Sequence, residues 1–138
     1  MLTPTQSETK RTDFDPNRLI RLDRILHRRS LASAYAKYIE AANEENSITP
    51  TIVIYEVYKK LKNTKGEQNA LEAYAQITRT KIIELTAKLS LEAAEISQST
   101  SLGMADSIVL ATARSCNAQI ITSDLHLKDI KETKFINK

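Results

Sequence analysis

Three carboxylates, Glu56, Asp106 and Asp124, are the side chains best placed to do chemistry in this sequence. Asp106 lies in the run Gly103-Met104-Ala105-Asp106-Ser107, at the start of a helical pattern. Asp124 follows directly on the apolar run Ala118–Thr122. Glu56 interrupts the otherwise apolar stretch Ile52–Tyr58. Carboxylates gathered at one place repel each other and stay ionised together only when a cation offsets their charge. An all-oxygen set of this kind suits Mg2+ or Mn2+. Such an ion lowers the pKa of a bound water and stabilises a phosphate under in-line attack.

Each of the three also has an ordinary use. Glu56 and Lys60 stand at i,i+4 and can pair along a helix. Asp106 suits the positive end of a helix dipole. Asp124, in Thr122-Ser123-Asp124, fits a turn or a cap. Asp129 and Glu132 read as solvated surface charges. His126 is close to Asp124 but has no partner cysteine or second histidine nearby. Cys116 reads as a small packing residue. The tyrosines at 35, 38, 55, 58 and 74 fall at helical spacing and read as core or partner surface rather than as platforms for stacked bases.

The elements that must carry these residues alternate in type. Ser30 can cap a helix through Leu31, Tyr35, Tyr38 and Ile39, which ends at Asn43–Asn46. Ser47-Ile48-Thr49 is a short strand candidate. Thr49-Pro50 reads as a cap followed by proline at the first helical position. The helix that follows carries Glu56 and stops at Gly66, and a second spans about 67–79. Lys81–Leu85 reads as a buried strand, and Thr86 caps a helix over about 87–99. Ser101-Leu102-Gly103 breaks that helix before another over Met104–Ser115. Ala118–Thr122 is the clearest strand, and Lys134–Ile136 is a last short one. Strands alternating with helices imply a parallel sheet with right-handed crossovers. Ligands of such sheets gather beyond the carboxyl ends of the strands, where Asp124 and the helix starts belong.

Composition narrows the alternatives. The chain has 138 residues, 41% hydrophobic and 27% charged, enough for one domain with an ordinary core. Its two glycines, Gly66 and Gly103, are too few for a Walker loop or a dinucleotide fingerprint. A single cysteine excludes a disulfide framework and a multi-cysteine zinc site. The two histidines, His27 and His126, lie far apart and give little support to histidine chemistry. No apolar run approaches the roughly 20 residues of a membrane span, and the polar N-terminus has no signal-peptide core. The expected setting is cytoplasmic, with no membrane partner.

Beyond composition, the motifs resemble a known family. The stretch GMADSIVLATARSCNAQIITSDLHL, residues 103–127, is similar to the C-terminal half of a PIN domain, and most closely to the VapC-type toxins of type II toxin–antitoxin pairs. ITPTIVIYEVYKKLK, residues 48–62, resembles the second motif of that family. The likeness covers 31–138, with 1–13 read as a disordered tail and 14–30 as an atypical arginine-rich segment. It implies an α/β fold, a three-layer α/β/α sandwich with a small parallel sheet. It also implies Mg2+-dependent (Mn2+ possible) endoribonuclease activity, with Glu56, Asp106 and Asp124 at three of the family's four acidic positions as metal-holding catalytic residues. An RNA substrate, a small antitoxin that covers the active site, and a homodimer follow from the same likeness.

The N-terminal part departs from it. The family begins with an apolar strand ending in aspartate, but here Arg18-Leu19-Ile20-Arg21-Leu22-Asp23-Arg24 stands in that place. Six of the eight arginines fall between Arg11 and Arg29. Residues 1–30 carry seven basic and four acidic side chains, so the whole net charge of +3 resides there. A buried central strand is normally near-continuously apolar, so the first strand is expected to be degraded into a compromised edge or missing. Codons for Ile20–Ser30 exist that read FDSIGFFTDGP after a shift of one nucleotide, with the expected aspartate, serine and apolar run. An altered or frameshifted N-terminus is therefore expected, and Asp23, the nearest acid, stands about two residues out of register for the missing ligand. Two readings besides the ribonuclease remain: a catalytically impaired PIN remnant that binds an antitoxin-like partner or dimerises, and a nucleic-acid binder whose Arg11–Arg29 arm contacts phosphates.

Overall fold

The computed structural model describes residues 19–21, 43–122 and 127–135. The N-terminal tail, the helix read from Ser30, Asp23, Asp124 and His126 lie outside the described residues. The elements in chain order are β1 (Leu19–Arg21), β2 (Ser47–Pro50), α1 (Thr51–Lys65), α2 (Glu67–Ile77), β3 (Lys81–Ile83), α3 (Ala87–Thr100), α4 (Met104–Ser115), β4 (Gln119–Thr122) and β5 (Thr133–Phe135). The five strands form one sheet in the order β3-β2-β1-β4-β5, every neighbouring pair parallel. The parallel sheet is the one the alternating pattern implies, and the α/β/α arrangement the one the resemblance implies.

The first strand is short but neither missing nor at an edge. Leu19 and Ile20 pair with Ser47 and Ile48 of β2 on one side, and Leu19, Ile20 and Arg21 with Gln119, Ile120 and Ile121 of β4 on the other. The strand is three residues long, and Arg21 occupies its last register position.

The core explains why the helices form where they do. On α1, Val53, Val57 and Leu61 recur at four-residue spacing and are all buried, the stripe of an amphipathic helix. On α4 every residue from Ser107 to Ala113 is buried, so this helix is enclosed rather than laid on a surface. It packs against α3, α1, β2 and β4. Ile48 of β2 and Ile120 and Ile121 of β4 complete the core with Leu127.

Local signals decide the boundaries. The Thr86 side chain accepts from Leu89 N at 3.1 Å and caps α3 as expected. Thr49 does not cap α1. The strand β2 runs on through Pro50, which is itself the N-cap residue, without a side-chain bond. The Thr49 hydroxyl is buried and meets that of Thr80 at 2.6 Å instead. Gly66 separates α1 from α2 at φ +87° and ψ 169°, a region open in practice only to glycine. Asn43 Oδ1 accepts from the backbone of Glu45 and Asn46 in the turn before β2. Glu132 is not a solvated charge. Its Oε1 accepts from Arg114 Nε at 3.0 Å, tying the end of α4 to the approach of β5. Cys116 is half-buried against the core, as a packing residue should be. Among the described residues, no helix is long and apolar enough to cross a membrane.

Candidate active site

The strand order reverses between β1 and β4. From β1 the chain proceeds outward to β2 and β3, then returns across the sheet to β4 and β5. The carboxyl ends of the strands flanking such a reversal diverge and open a crevice for ligands. Three described segments lead to this edge. The helix α1 begins at the residue after β2, so its first turns stand there. The helix α4 feeds β4 through a three-residue connection, Cys116–Ala118, and must therefore run opposite to the strand. Its twelve residues span about 18 Å against about 13 Å for the four of β4, so the start of α4 reaches to or beyond the strand's carboxyl end. The strand β4 ends at this edge on Thr122.

Asp106 is the third residue of α4 and half-buried. No side chain caps this helix start, and Gly103 is its N-cap residue. The first backbone N–H groups and the helix dipole favour a negative charge at this point. The position is fixed from below. Ser107 is 1% exposed, and its hydroxyl donates to the Leu102 carbonyl at 3.3 Å. Ser97 of α3 donates to that carbonyl at 2.8 Å. The two hydroxyls clamp the α3–α4 connection and so set where Asp106 begins its helix.

Glu56 is the sixth residue of α1 and exposed. The helices α1 and α4 pack on each other and on β2, which brings the two carboxylate-bearing elements to one side of the sheet. Asp124 lies outside the described residues. Among the described residues no three of His, Cys, Asp and Glu come together in a group able to hold a metal.

Three further features bear on the site. Arg21 stands at the carboxyl end of the central strand β1, opposite Ile121. Met104, two residues before Asp106, is 73% exposed. The lysines of α1 are arranged over tyrosines, Lys59 Nζ at 5.4 Å from the Tyr55 ring and Lys62 Nζ at 5.8 Å from the Tyr58 ring. The spacing Tyr-x-x-Tyr-Lys-x-x-Lys at 55–62 contains that signal for a reader who looks along the exposed face.

The PIN domain family model matches residues 20–133, and the chain belongs to that family. The match takes in the last two residues of β1 as well as the two motif stretches. No curated protein sequence matches the chain. Among solved structures, it is similar to a toxin–antitoxin complex from Klebsiella pneumoniae, with TM-score 0.67, 20% identity, and 84% of this chain and 95% of that one covered. VapBC2 from Rickettsia felis, solved bound to a DNA fragment from their promoter, gives TM-score 0.63 and 19% identity over 87% of this chain and 98% of that one. Mycobacterium tuberculosis VapC20, described as a Sarcin-Ricin loop cleaving toxin, gives 0.64 and 16% over 80% and 91%.

Proposed function

We propose that the chain is the toxin of a toxin–antitoxin pair, a Mg2+-dependent endoribonuclease that works from the carboxyl edge of the sheet beside β1 and β4. The observation that carries this reading is the direction of three segments of one PIN domain. The start of α4 with Asp106, the first turns of α1 with Glu56, and the end of β4 at Thr122 all belong to that edge. The similar structure from K. pneumoniae is described as a toxin–antitoxin complex, that from R. felis as VapBC2 bound to promoter DNA, and that from M. tuberculosis as a Sarcin-Ricin loop cleaving toxin. They support an RNA substrate and a small antitoxin partner.

The donor set fits a hard divalent ion, since all three groups are carboxylates and two of them belong to packed, well-anchored helices. Asp106 and Asp124 would hold Mg2+ or Mn2+, with Glu56 as a third contributor. When bound, the ion supplies an acidified water and stabilises the phosphate's developing charge. The chain's own part is to hold its carboxylates in place. Asp106 is held by the serine clamp beneath it, and Glu56 by the buried Val53–Val57–Leu61 stripe of its helix. No nucleophilic side chain and no covalent enzyme intermediate is required.

A second reading has its own observation. The central strand ends on Arg21, and no described residue supplies a carboxylate from that strand end. A cation at this position opposes binding of another. This favours a catalytically impaired PIN domain that keeps its partner or dimer surface. One experiment separates the two. RNA is incubated with the purified chain in Mg2+ and in EDTA, beside Asp106→Asn. Cleavage that requires Mg2+ and vanishes in the variant supports the ribonuclease. A folded, inert wild-type chain that still associates with a partner or with itself supports the second reading.

A further inference from the structure

We infer that the outward face of α1, formed by Tyr55, Lys59 and Lys62 with Lys60 and Lys65 beside them, is a track for single-stranded RNA leading to Glu56. The inference rests on the ribonuclease reading for its direction, but the binding it describes is measured separately.

The helix α1 carries four lysines against one acid, Glu56, a net charge of +3. All four lysines are exposed and lie in its second half, between 59 and 65. The buried stripe Val53–Val57–Leu61 turns the opposite side of the helix outward. At 100° per residue, Tyr55, Lys59 and Lys62 fall on that opposite side, with Glu56 on its flank. Lys59 and Lys60 are about one turn from Glu56, and Lys65 about 13 Å along the axis. A polyanion laid on the lysines therefore passes within about one helical turn of Glu56.

Tyr55 gives the track its preference for unpaired strands. It is 58% exposed, adjoins Glu56 in sequence, and contributes nothing to the core, whereas Tyr58 is half-buried and packs against it. Lys59 donates to the Tyr55 hydroxyl at 3.2 Å and stands over the same ring. The ammonium group and the ring are thus presented together. Single-stranded nucleic acids are held by this combination of phosphate-contacting cations and aromatic faces for stacked bases. An acidic protein would match the charge but would leave the ring without a role.

The test is fluorescence anisotropy with a labelled 12-nucleotide oligouridine and a duplex RNA of equal length, in EDTA so that no cleavage intervenes. The expected result is that Lys59→Ala with Lys62→Ala weakens oligouridine binding at least about tenfold and flattens the salt dependence by about 1.4 log units per log unit, two phosphate contacts at about 0.7 each. Tyr55→Ala weakens the oligouridine by about fivefold or more and the duplex much less, and Lys59→Arg with Lys62→Arg restores binding. The substituted side chains are exposed, and a thermal melt of each variant confirms the fold. Unchanged affinity and salt slope in the alanine variants overturns the inference. So does a wild-type chain that binds neither RNA, or variants that lose only self-association in sedimentation, which would make the face a protein interface. Cleavage is read apart. Track-dependent binding without cleavage leaves the track standing and removes the ribonuclease. Cleavage at the wild-type rate in the alanine variants does the reverse.

Discussion

Ser97 and Ser107, from two successive helices, donate to one acceptor, the carbonyl of Leu102, at 2.8 and 3.3 Å. Either hydroxyl alone can satisfy that oxygen, so each single alanine substitution should cost about 1 kcal/mol. Removing both leaves the carbonyl of a buried residue unpaired, and the double variant should lose more than the sum. Urea unfolding of the two singles and the double measures this. A strictly additive cycle would show that the hydroxyls do not share the acceptor.

Asp106→Asn and Asp124→Asn keep size and shape while removing charge. Each should lower Mg2+-dependent RNA cleavage by about a hundredfold or more, the scale of losing one electrostatic stabiliser. Melting temperature in EDTA should fall little for either. Activity surviving in both variants would remove these residues from the reaction.

Arg21→Asp converts the end of the central strand from a cation to a carboxylate. Mg2+ affinity by titration calorimetry should rise about tenfold or more, equivalent to about 1.4 kcal/mol. Equal affinity in the two chains would mean that this strand end takes no part in holding the metal.

Gly66→Ala should destabilise the fold by about 1–3 kcal/mol, the cost of forcing a side chain into a glycine-only backbone region. Space is not the cause, because an added Cβ meets nothing within 4 Å. Thermal unfolding checks the sign. A neutral result would mean that the α1–α2 connection relaxes to another conformation.

The nucleotide sequence across codons 14–31 is expected to read FDSIGFFTDGP over Ile20–Ser30 when shifted by one base. Sequencing answers this directly, and a shifted frame without an apolar run ending in aspartate rejects the altered N-terminus.

Much of the fold was legible along the chain because strong local patterns agreed with burial. The run Ile108-Val109-Leu110-Ala111 announced α4, Ala118–Thr122 the strand β4, and Thr86 the cap of α3. Thr49 misled because its hydroxyl answers to Thr80, 31 residues away, a partner that no local window contains. Glu132 misled similarly, since Arg114 finds it only after β4 and β5 align. The first strand was hidden by arginines, and only its pairing on both sides reveals it. For the site, Glu56 and Asp106 could be read from type and position, whereas the exposed pairing of Tyr55 with Lys59 depended on which side of α1 the core occupies.

The sheet's middle has a consequence for how the molecule is made. Leu19 pairs with Gln119, 100 residues further on. The strand β1 thus lacks one of its two neighbours until the residues up to β4 have left the ribosome. Contacts of such wide separation slow folding, because the intervening loop must close before they form. The two flanks of the sheet meet last, along a seam three residues wide, and a nascent chain halted before β4 would hold only one flank of that seam.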